Sequence, residues 1–405
     1  MAMGLKGIKT IRDFELADKA VFMRLDLNVP LVDGKITDET RIRASLPTIQ
    51  YALDKGAKVI LASHLGRPKA FGDKNSSLEP VANRLTELLQ KEVILVEDPR
   101  SAELVKNLLL NLRKNQLILL ENLRWDKGET ENEEILAQVW ANHAQIYIND
   151  AFGASHRAHA SIDALPRLMR NKGIGFLIEK EIKVLDQLLG HSKKPYIAIL
   201  GGSKVSDKIG VLEKLIDVVD GFIIGGAMAY TFLKAKGFAV GKSLVEHDKI
   251  NYAREMMARI EARNKTILLP VDHVVTQDIA SGQGSLCTSQ NIEEGFMGVD
   301  IGPLTLKNYR AAIMSSATVF WNGPMGIFET PAFSKGTFGI AEALAECNAV
   351  KIVGGGDSAA AVEISGYADK MTHISTGGGA SLEYLQGDRL PGLEVLRAKK
   401  SSENL

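Results

Sequence analysis

The chain has 405 residues, 45% of them hydrophobic, with 49 basic against 49 acidic side chains and a formal net charge of zero. That length suggests two domains, each able to bury a core of its own, and the even charge gives no reason to expect a nucleic acid or an anionic membrane as partner. Two cysteines, Cys287 and Cys347, are too few for a disulfide framework, residues 221–233 are too short for a span of ~20 apolar residues, and residues 1–13 lack the apolar centre of a secretion signal, so a cytoplasmic location is the expectation.

Short apolar, β-branched runs alternate with longer helical patterns. In the first half the runs cover residues 20–25, 57–62, 93–96, 117–120 and 146–148. Residues 176–189 read as an amphipathic helix. Leu177, Ile178, Ile182, Leu185, Leu188 and Leu189 fall near i, i+4, i+7 spacing, and Gly190 supplies a C-cap. In the second half the runs cover 196–200, 222–224, 267–269, 318–321, 351–353 and 371–375. Such runs separated by amphipathic segments predict βαβ units. The expected class is α/β: two Rossmann-like three-layer domains, each with a mainly parallel sheet flanked by helices, joined by an interdomain helix. The expected boundaries are 1–178, a connecting helix and hinge at 179–190, a second domain at 191–386, and a tail at 387–405.

The two halves differ in chemistry. Twelve of the 18 arginines lie in the first 170 residues, and 29 of the 37 glycines lie after them. Arginine's planar fork suits carboxylate and phosphate, whereas glycine-rich loops bring backbone N–H groups close to phosphates. The first half therefore reads as built for a small anion, the second for a nucleotide. In open α/β sheets ligands bind beyond the carboxyl ends of the strands. Asp26 and Asn28 follow the first run, Ser63, His64, Gly66 and Arg67 the second, Asn122 and Arg124 the fourth, and Asn149, Asp150, His156 and Arg157 the fifth. A lone arginine is ordinarily a solvated surface residue. Four loops converging on one sheet edge, three of them with an arginine, are harder to explain that way.

Several familiar motifs fail. Gly241-Lys242-Ser243 ends like a phosphate-binding loop, but Lys236 stands where the first glycine belongs. The segment from Gly354 to Ala359 fits G-x-G-x-x-A but lacks the acidic residue ~20 positions on that would hold a ribose, which argues against a nicotinamide dehydrogenase. Neither a G-x-S-x-G elbow nor a metal-spaced Cys/His cluster occurs. The missing base is informative: a carboxylate or phosphate nucleophile is already ionised at neutral pH, so catalysis reduces to positioning and charge stabilisation, as in phosphoryl transfer. A nucleotide-binding scaffold without catalysis is the remaining rival.

Taken together, RLDLNVP at 24–30, RIR at 41–43, SHLGRP at 63–68, ENLR at 121–124, NDAFGASHRAH at 149–159, GGSKVSDK at 201–208, WNGPMGIFE at 321–329, GGGDS at 354–358 and STGGG at 375–379 resemble the phosphoglycerate kinase family over nearly the whole chain. Departures are Trp125 where phenylalanine is usual, Ser155, and Ser358 where threonine is common. The resemblance implies reversible phosphoryl transfer between ATP and 3-phosphoglycerate, giving ADP and 1,3-bisphosphoglycerate, with Mg²⁺ on the nucleotide, in a monomer whose tail returns to the first domain. It implies that Asp26, Asn28, His64, Arg67, Arg124 and Arg157 hold the phosphoglycerate, with Asp26 accepting from the substrate hydroxyl or orienting an arginine. Arg41 resembles the catalytic arginine, Lys204 stands near the transferring group, and Gly378 lies in a glycine run before a helix that faces the developing charge. Lys208, Gly298, Glu329, Gly355, Gly356, Asp357 and Ser358 match nucleotide-binding positions, with Asp357 the carboxylate for magnesium. Arg43 is expected at the surface, and Lys204 and Lys208 share a face if a helix starts at Ser203.

Overall fold

A computed structural model describes residues 4–398. The chain divides into two compact units, one running to Lys183 and taking in the segment from Asp388 onward, the other Val184–Gly387.

The first unit is built on strands β1 (Ala20–Leu25), β4 (Lys58–Ala62), β5 (Glu92–Val96), β6 (Gln116–Leu120), β7 (Ile146–Asp150) and β8 (Lys172–Ile174), with a hairpin of β2 (Leu31–Val32) and β3 (Lys35–Ile36) between the first two. The six long-range partners form one parallel sheet in the order β5-β6-β4-β1-β7-β8. Val21, Met23, Leu25, Val59 and Leu61 pack in one cluster with Ile42, Ile49, Val81 and Leu85 from helices Thr40–Asp54 and Glu79–Leu89. Phe22, one residue out of phase, meets Trp140 of helix Glu134–Ala141. Both sheet faces are covered, which is why each strand reads as a continuous apolar run rather than an alternation.

The second unit repeats the plan with β9 (Tyr196–Leu200), β10 (Gly221–Ile224), β11 (Thr266–Leu268), β15 (Thr318–Asn322), β16 (Val350–Gly354) and β17 (His373–Ile374), parallel in the order β11-β10-β9-β15-β16-β17. Ile197, Ile199, Val319, Trp321 and Val353 pack with Tyr309, Ile313, Ile340 and Leu344 of helices Pro303–Met314 and Lys335–Glu346. The intervening Ala198, Leu200, Phe222, Ile224 and Phe320 are also buried. An antiparallel sheet of β12 (His273–Thr276), β13 (Ser285–Cys287) and β14 (Met297–Ile301) is added in the order β13-β12-β14.

Helix Phe176–Gly190 links the units. Its start is capped from the first unit: Ile178 N–H donates to Asp150 Oδ1 at 3.1 Å, Phe176 N–H to Thr48 Oγ1 at 3.0 Å, and Thr48 Oγ1 to Asp150 Oδ2 at 2.5 Å. Burial pushes the Asp150 carboxyl up to about 7. The segment after Gly387 lies on the first unit, where Gly392 N–H donates to the Ser155 carbonyl at 2.9 Å and Asn149 Nδ2 to the Gly392 carbonyl at 3.1 Å. A Cβ at Gly392 would stand 2.8 Å from Ile162 Cγ2, so the approach requires glycine. No described helix is long and apolar enough to cross a membrane.

Candidate active site

At the carboxyl edge of the first sheet, the loops after β1, β4, β6 and β7 bring cations together. Asn122 ties two of these loops. Its Oδ1 accepts from Leu65 N–H and Arg124 N–H at 3.2 and 3.1 Å, and its Nδ2 donates to the Leu65 and Ser76 carbonyls at 2.7 and 2.8 Å. Asn28 Oδ1 accepts from Gly66 N–H at 2.8 Å, and Arg124 Nη1 donates to the Gly66 carbonyl at 3.0 Å. Arg41, in the first turn of helix Thr40–Asp54, donates from Nη1 to Asp26 Oδ1 at 2.9 Å. Asp26 is thus paired with an arginine. Arg43, two positions on, turns away to Glu39.

Charge in this cluster is not balanced. Arg41 has Asp26, and the fully buried Arg24 has Glu129 Oε1 at 3.8 Å. Among the described residues Arg67, Arg124 and Arg157 have no carboxylate partner, and Arg124 Nε is buried without an acceptor. Burial first, then repulsion from Arg24 and Arg157, lowers the Arg124 guanidinium to about 10. The histidines respond in kind. Burial, then Arg24, Arg124, Arg41 and His159, holds His64 well below its ordinary range. Burial, then Arg124, Arg24 and Arg157, takes His159 down to about 4. His156 is lowered by burial and Arg157. Neutral imidazoles surround uncompensated guanidiniums, an arrangement that an anion completes.

In the second unit the loops after β9, β10 and β15 pack backbone against backbone. Gly201 N–H donates to the Asn322 carbonyl, Gly202 N–H to that of Pro324, Gly226 N–H to that of Met325 and Met228 N–H to that of Gly202, all at 2.9–3.0 Å. A Cβ at Gly201 would lie 2.2 Å from the Pro324 carbonyl oxygen, and one at Gly226 2.5 Å from Gly202 N. These approaches leave a cleft of about 390 Å³ lined by Gly202, Gly226, Tyr230, Gly298, Glu329 and Asp357 among others. Gly298 is required by its neighbour, since a Cβ there would fall 1.8 Å from Tyr230 Oη. Gly355, at φ +91°, caps helix Gly356–Ile364, in whose first turn Asp357 stands exposed. Ser358 Oγ accepts from Gly323 N–H at 2.5 Å, tying this helix to the loop after β15. Lys208 Nζ donates to Asn322 Oδ1, and burial lowers its pKa against the pull of Asp207 and Asp357. Gly378, at φ +53°, caps helix Gly379–Gln386.

The comparisons agree with this architecture. The model of the family described as phosphoglycerate kinase matches residues 11–388. The chain belongs to the phosphoglycerate kinase family. It is 67% identical to the phosphoglycerate kinase of Bdellovibrio bacteriovorus over 98% of this chain and 100% of that one, and 50% identical to that of Clostridium botulinum over 96% and 99%. Among solved structures, phosphoglycerate kinase from Coxiella burnetii superposes with a TM-score of 0.84 at 38% identity, covering 96% of this chain and 98% of that one. The Pyrococcus horikoshii OT3 enzyme gives 0.83 at 33% identity with the same coverage. The family's reaction is phosphoryl transfer between ATP and 3-phosphoglycerate, and its members are phosphotransferases with a carboxyl group as acceptor.

Set against the phosphoglycerate kinase motifs, the site residues fall into two groups. Asp26, Asn28, Arg41, His64, Arg124 and Arg157 are brought together in the first unit, with Arg67 exposed in the same loop as Gly66. Gly298, Glu329 and Asp357 line the cleft of the second. One expectation needs correcting. Lys204 and Lys208 do not share a regular helix, because Ser206–Lys208 is a 3-10 turn and the α-helix begins only at Ile209. Lys204 is exposed while Lys208 is held on Asn322. Glu246 anchors this turn by accepting from Ser206 N–H and Oγ at 3.0 and 2.6 Å. Arg24, Glu129 and Tyr230 were not expected at either site. An arginine inside an apolar strand was the available signal for Arg24, but Glu129 and Tyr230 carried none.

Proposed function

We propose that the chain transfers a phosphoryl group reversibly between ATP and 3-phosphoglycerate, with the first unit holding the phosphoglycerate and the second the nucleotide. The observation that carries this reading is the uncompensated cation cluster of Arg67, Arg124 and Arg157 among neutral histidines. In the forward sense a 3-phosphoglycerate carboxylate oxygen forms a bond to the γ-phosphorus while the bond to the β–γ bridging oxygen breaks. The carboxylate is ionised at neutral pH, so no general base is needed. Asp26, Asn28, His64, Arg67, Arg124 and Arg157 bind and orient the phosphoglycerate. Lys208, Gly298, Glu329, Gly355, Gly356, Asp357 and Ser358 hold the nucleotide. Arg41, Lys204 and the amides beyond Gly378 stabilise charge on the moving group.

The donor set near the nucleotide fits Mg²⁺. Among the described residues no group of three or more His, Cys, Asp or Glu could cage a metal, while Asp357 offers one exposed carboxylate at the cleft. Magnesium characteristically takes one or two carboxylates together with substrate phosphates. When bound it would neutralise charge on the β- and γ-phosphates. Arg41 and Lys204 belong to different units, so in-line transfer, with reacting atoms ~3–3.5 Å apart, requires the units to close on one phosphoryl group. Helix Phe176–Gly190 is the hinge in this reading. We place the enzyme in the cytoplasm, as a monomer, by analogy with the family. A coupled assay for 1,3-bisphosphoglycerate from ATP, Mg²⁺ and 3-phosphoglycerate tests the proposal. Binding of both substrates without turnover would leave only a scaffold.

A further inference from the structure

Beneath the basic cluster lies a polar network that these roles do not use. Arg24, in the middle of the first sheet, Glu129, Ser161 and Tyr147 are all 0% exposed. Arg24 Nε donates to Ser161 Oγ at 2.7 Å, and Ser161 Oγ donates onward to Glu129 Oε1 at 2.7 Å. Ser161 N–H donates to Glu129 Oε2 at 2.8 Å, and Tyr147 Oη donates to the Ser161 carbonyl at 2.8 Å. Arg24 Nη1 donates to the Leu25 carbonyl. The remaining nitrogen, Nη2, stands 3.2 Å from His64 Nδ1.

The direction of that last contact follows from chemistry. A guanidinium has five N–H donors and no acceptor, and it does not deprotonate in proteins. A hydrogen bond to it therefore needs a lone pair on Nδ1. A neutral imidazole with a lone pair on Nδ1 carries its single proton on Nε2, and a protonated ring would set one N–H against another. The groups facing His64 come from several elements: Arg24 from β1, Arg41 from the helix after the hairpin, Arg124 from the loop after β6 and His159 from the loop after β7. The three arginines each oppose a positive charge on the ring, and a protonated His159 would add to them. Glu129 balances Arg24, and Arg24 cannot turn away because its other nitrogens are engaged.

We propose that Arg24 locks His64 in the Nε2–H tautomer, making it a neutral hydrogen-bond donor for an anionic oxygen of the phosphoglycerate. Arg24 is then a positioning residue and Glu129 its counter-charge. The identity of the acceptor rests on the reading of the cluster as the phosphoglycerate site, while the tautomer does not depend on it. The gain is a donor whose charge and geometry stay constant as the arginines engage the substrate.

The test is ¹⁵N NMR of the full-length, histidine-labelled protein between pH 8 and 5.5, with His64 assigned by its loss in His64→Gln. The expected spectrum shows an unprotonated Nδ1 and a protonated Nε2 throughout. A proton on Nδ1, or a titration near 6.5, overturns the lock. Saturation with 3-phosphoglycerate should shift the Nε2 resonance and leave the tautomer unchanged. If signals of His156 and His159 move and that of His64 does not, the donor role fails while the phosphoglycerate reading stands. If no histidine of the cluster responds, that reading fails. In Arg24→Gln, whose amide can accept as well as donate, both tautomers should appear, and persistence of a single Nε2–H form would remove Arg24 from the argument. Should this variant not fold, the wild-type spectra still decide. Kinetically, His64→Gln keeps an N–H near the Nε2 position and His64→Asn does not. The KM for 3-phosphoglycerate should rise about 10-fold more in the Asn variant, with that for ATP unchanged. Equal rises would count against the donor.

Discussion

The first unit puts charged side chains at the carboxyl edge of its parallel sheet, and the second puts glycines there. Six-stranded parallel sheets underlie both. In the first, arginines converge and the histidines among them stay neutral, because each additional proton would face Arg24, Arg124 or Arg157. In the second, the loops after β9, β10 and β15 approach so closely that only glycine fits, and N–H groups carry the polarity. Side-chain recognition supplies full charges but makes the site sensitive to pH and salt. Backbone recognition supplies partial charges that never titrate but tolerates no Cβ.

The largest effect that would sharpen this contrast is that of Arg41→Ala. In our reading this arginine acts on the transferring group, so kcat should fall by about 10²–10³-fold, the loss typical of one transition-state donor, with ATP affinity nearly unchanged. Steady-state kinetics and an ATP titration check it, and equal losses in both would break the division between the units. Gly298→Ala probes the other side. The new methyl would meet Tyr230 Oη, and the overpacking should destabilise by about 1–3 kcal/mol and weaken ATP binding while sparing that of 3-phosphoglycerate. Calorimetry and separate substrate titrations read the two effects.

A third expectation concerns pH. His159 is depressed from 6.5 to about 4 in the fold, so the unfolded chain binds its proton first. The stability it confers is present above pH 6.5 and is lost as pH falls toward 4. Saturating 3-phosphoglycerate should reduce this loss by offsetting Arg124 and Arg157, and ATP should not. Melting curves from pH 7 to 5 test both. Asp150 has the opposite sign. Its carboxyl is raised from 3.8 to about 7, so its contribution is full below 3.8 and is lost as pH rises through 7. Asp150→Asn should flatten that limb. The smallest effect is expected of Arg43→Ala, which removes an exposed pair with Glu39. Its kcat and both KM values should stay within about two-fold of wild type. A large loss there would mean that proximity to Arg41 in sequence, not direction in space, decides the role.

The central strands were legible because burial on both faces writes an unbroken apolar run, and their observed limits lie within two residues of the expected ones. The hairpin of β2 and β3, with two residues per strand, has no periodicity to detect. Strand β13 is largely exposed, and β8 is three residues long and contains Gly173. The arginines at strand ends stood out by type and position as candidate anion ligands, and the structure gathers them at one sheet edge. Asp26 was readable only as an orienter or an acceptor, and the 2.9 Å contact with Arg41 supports the first. Glu129 gave no sign, because its work depends on Arg24 and Ser161, 105 and 32 residues away.

The sequence alone determined the class of fold, the segregation of arginine and glycine into two halves, and the family, since these depend on residue type and local spacing. Only the tertiary structure decided which arginines keep an uncompensated charge, which glycines are sterically obligatory, and which way the proton on His64 points. Those properties arise from distances between loops that the chain brings together only when both sheets are complete.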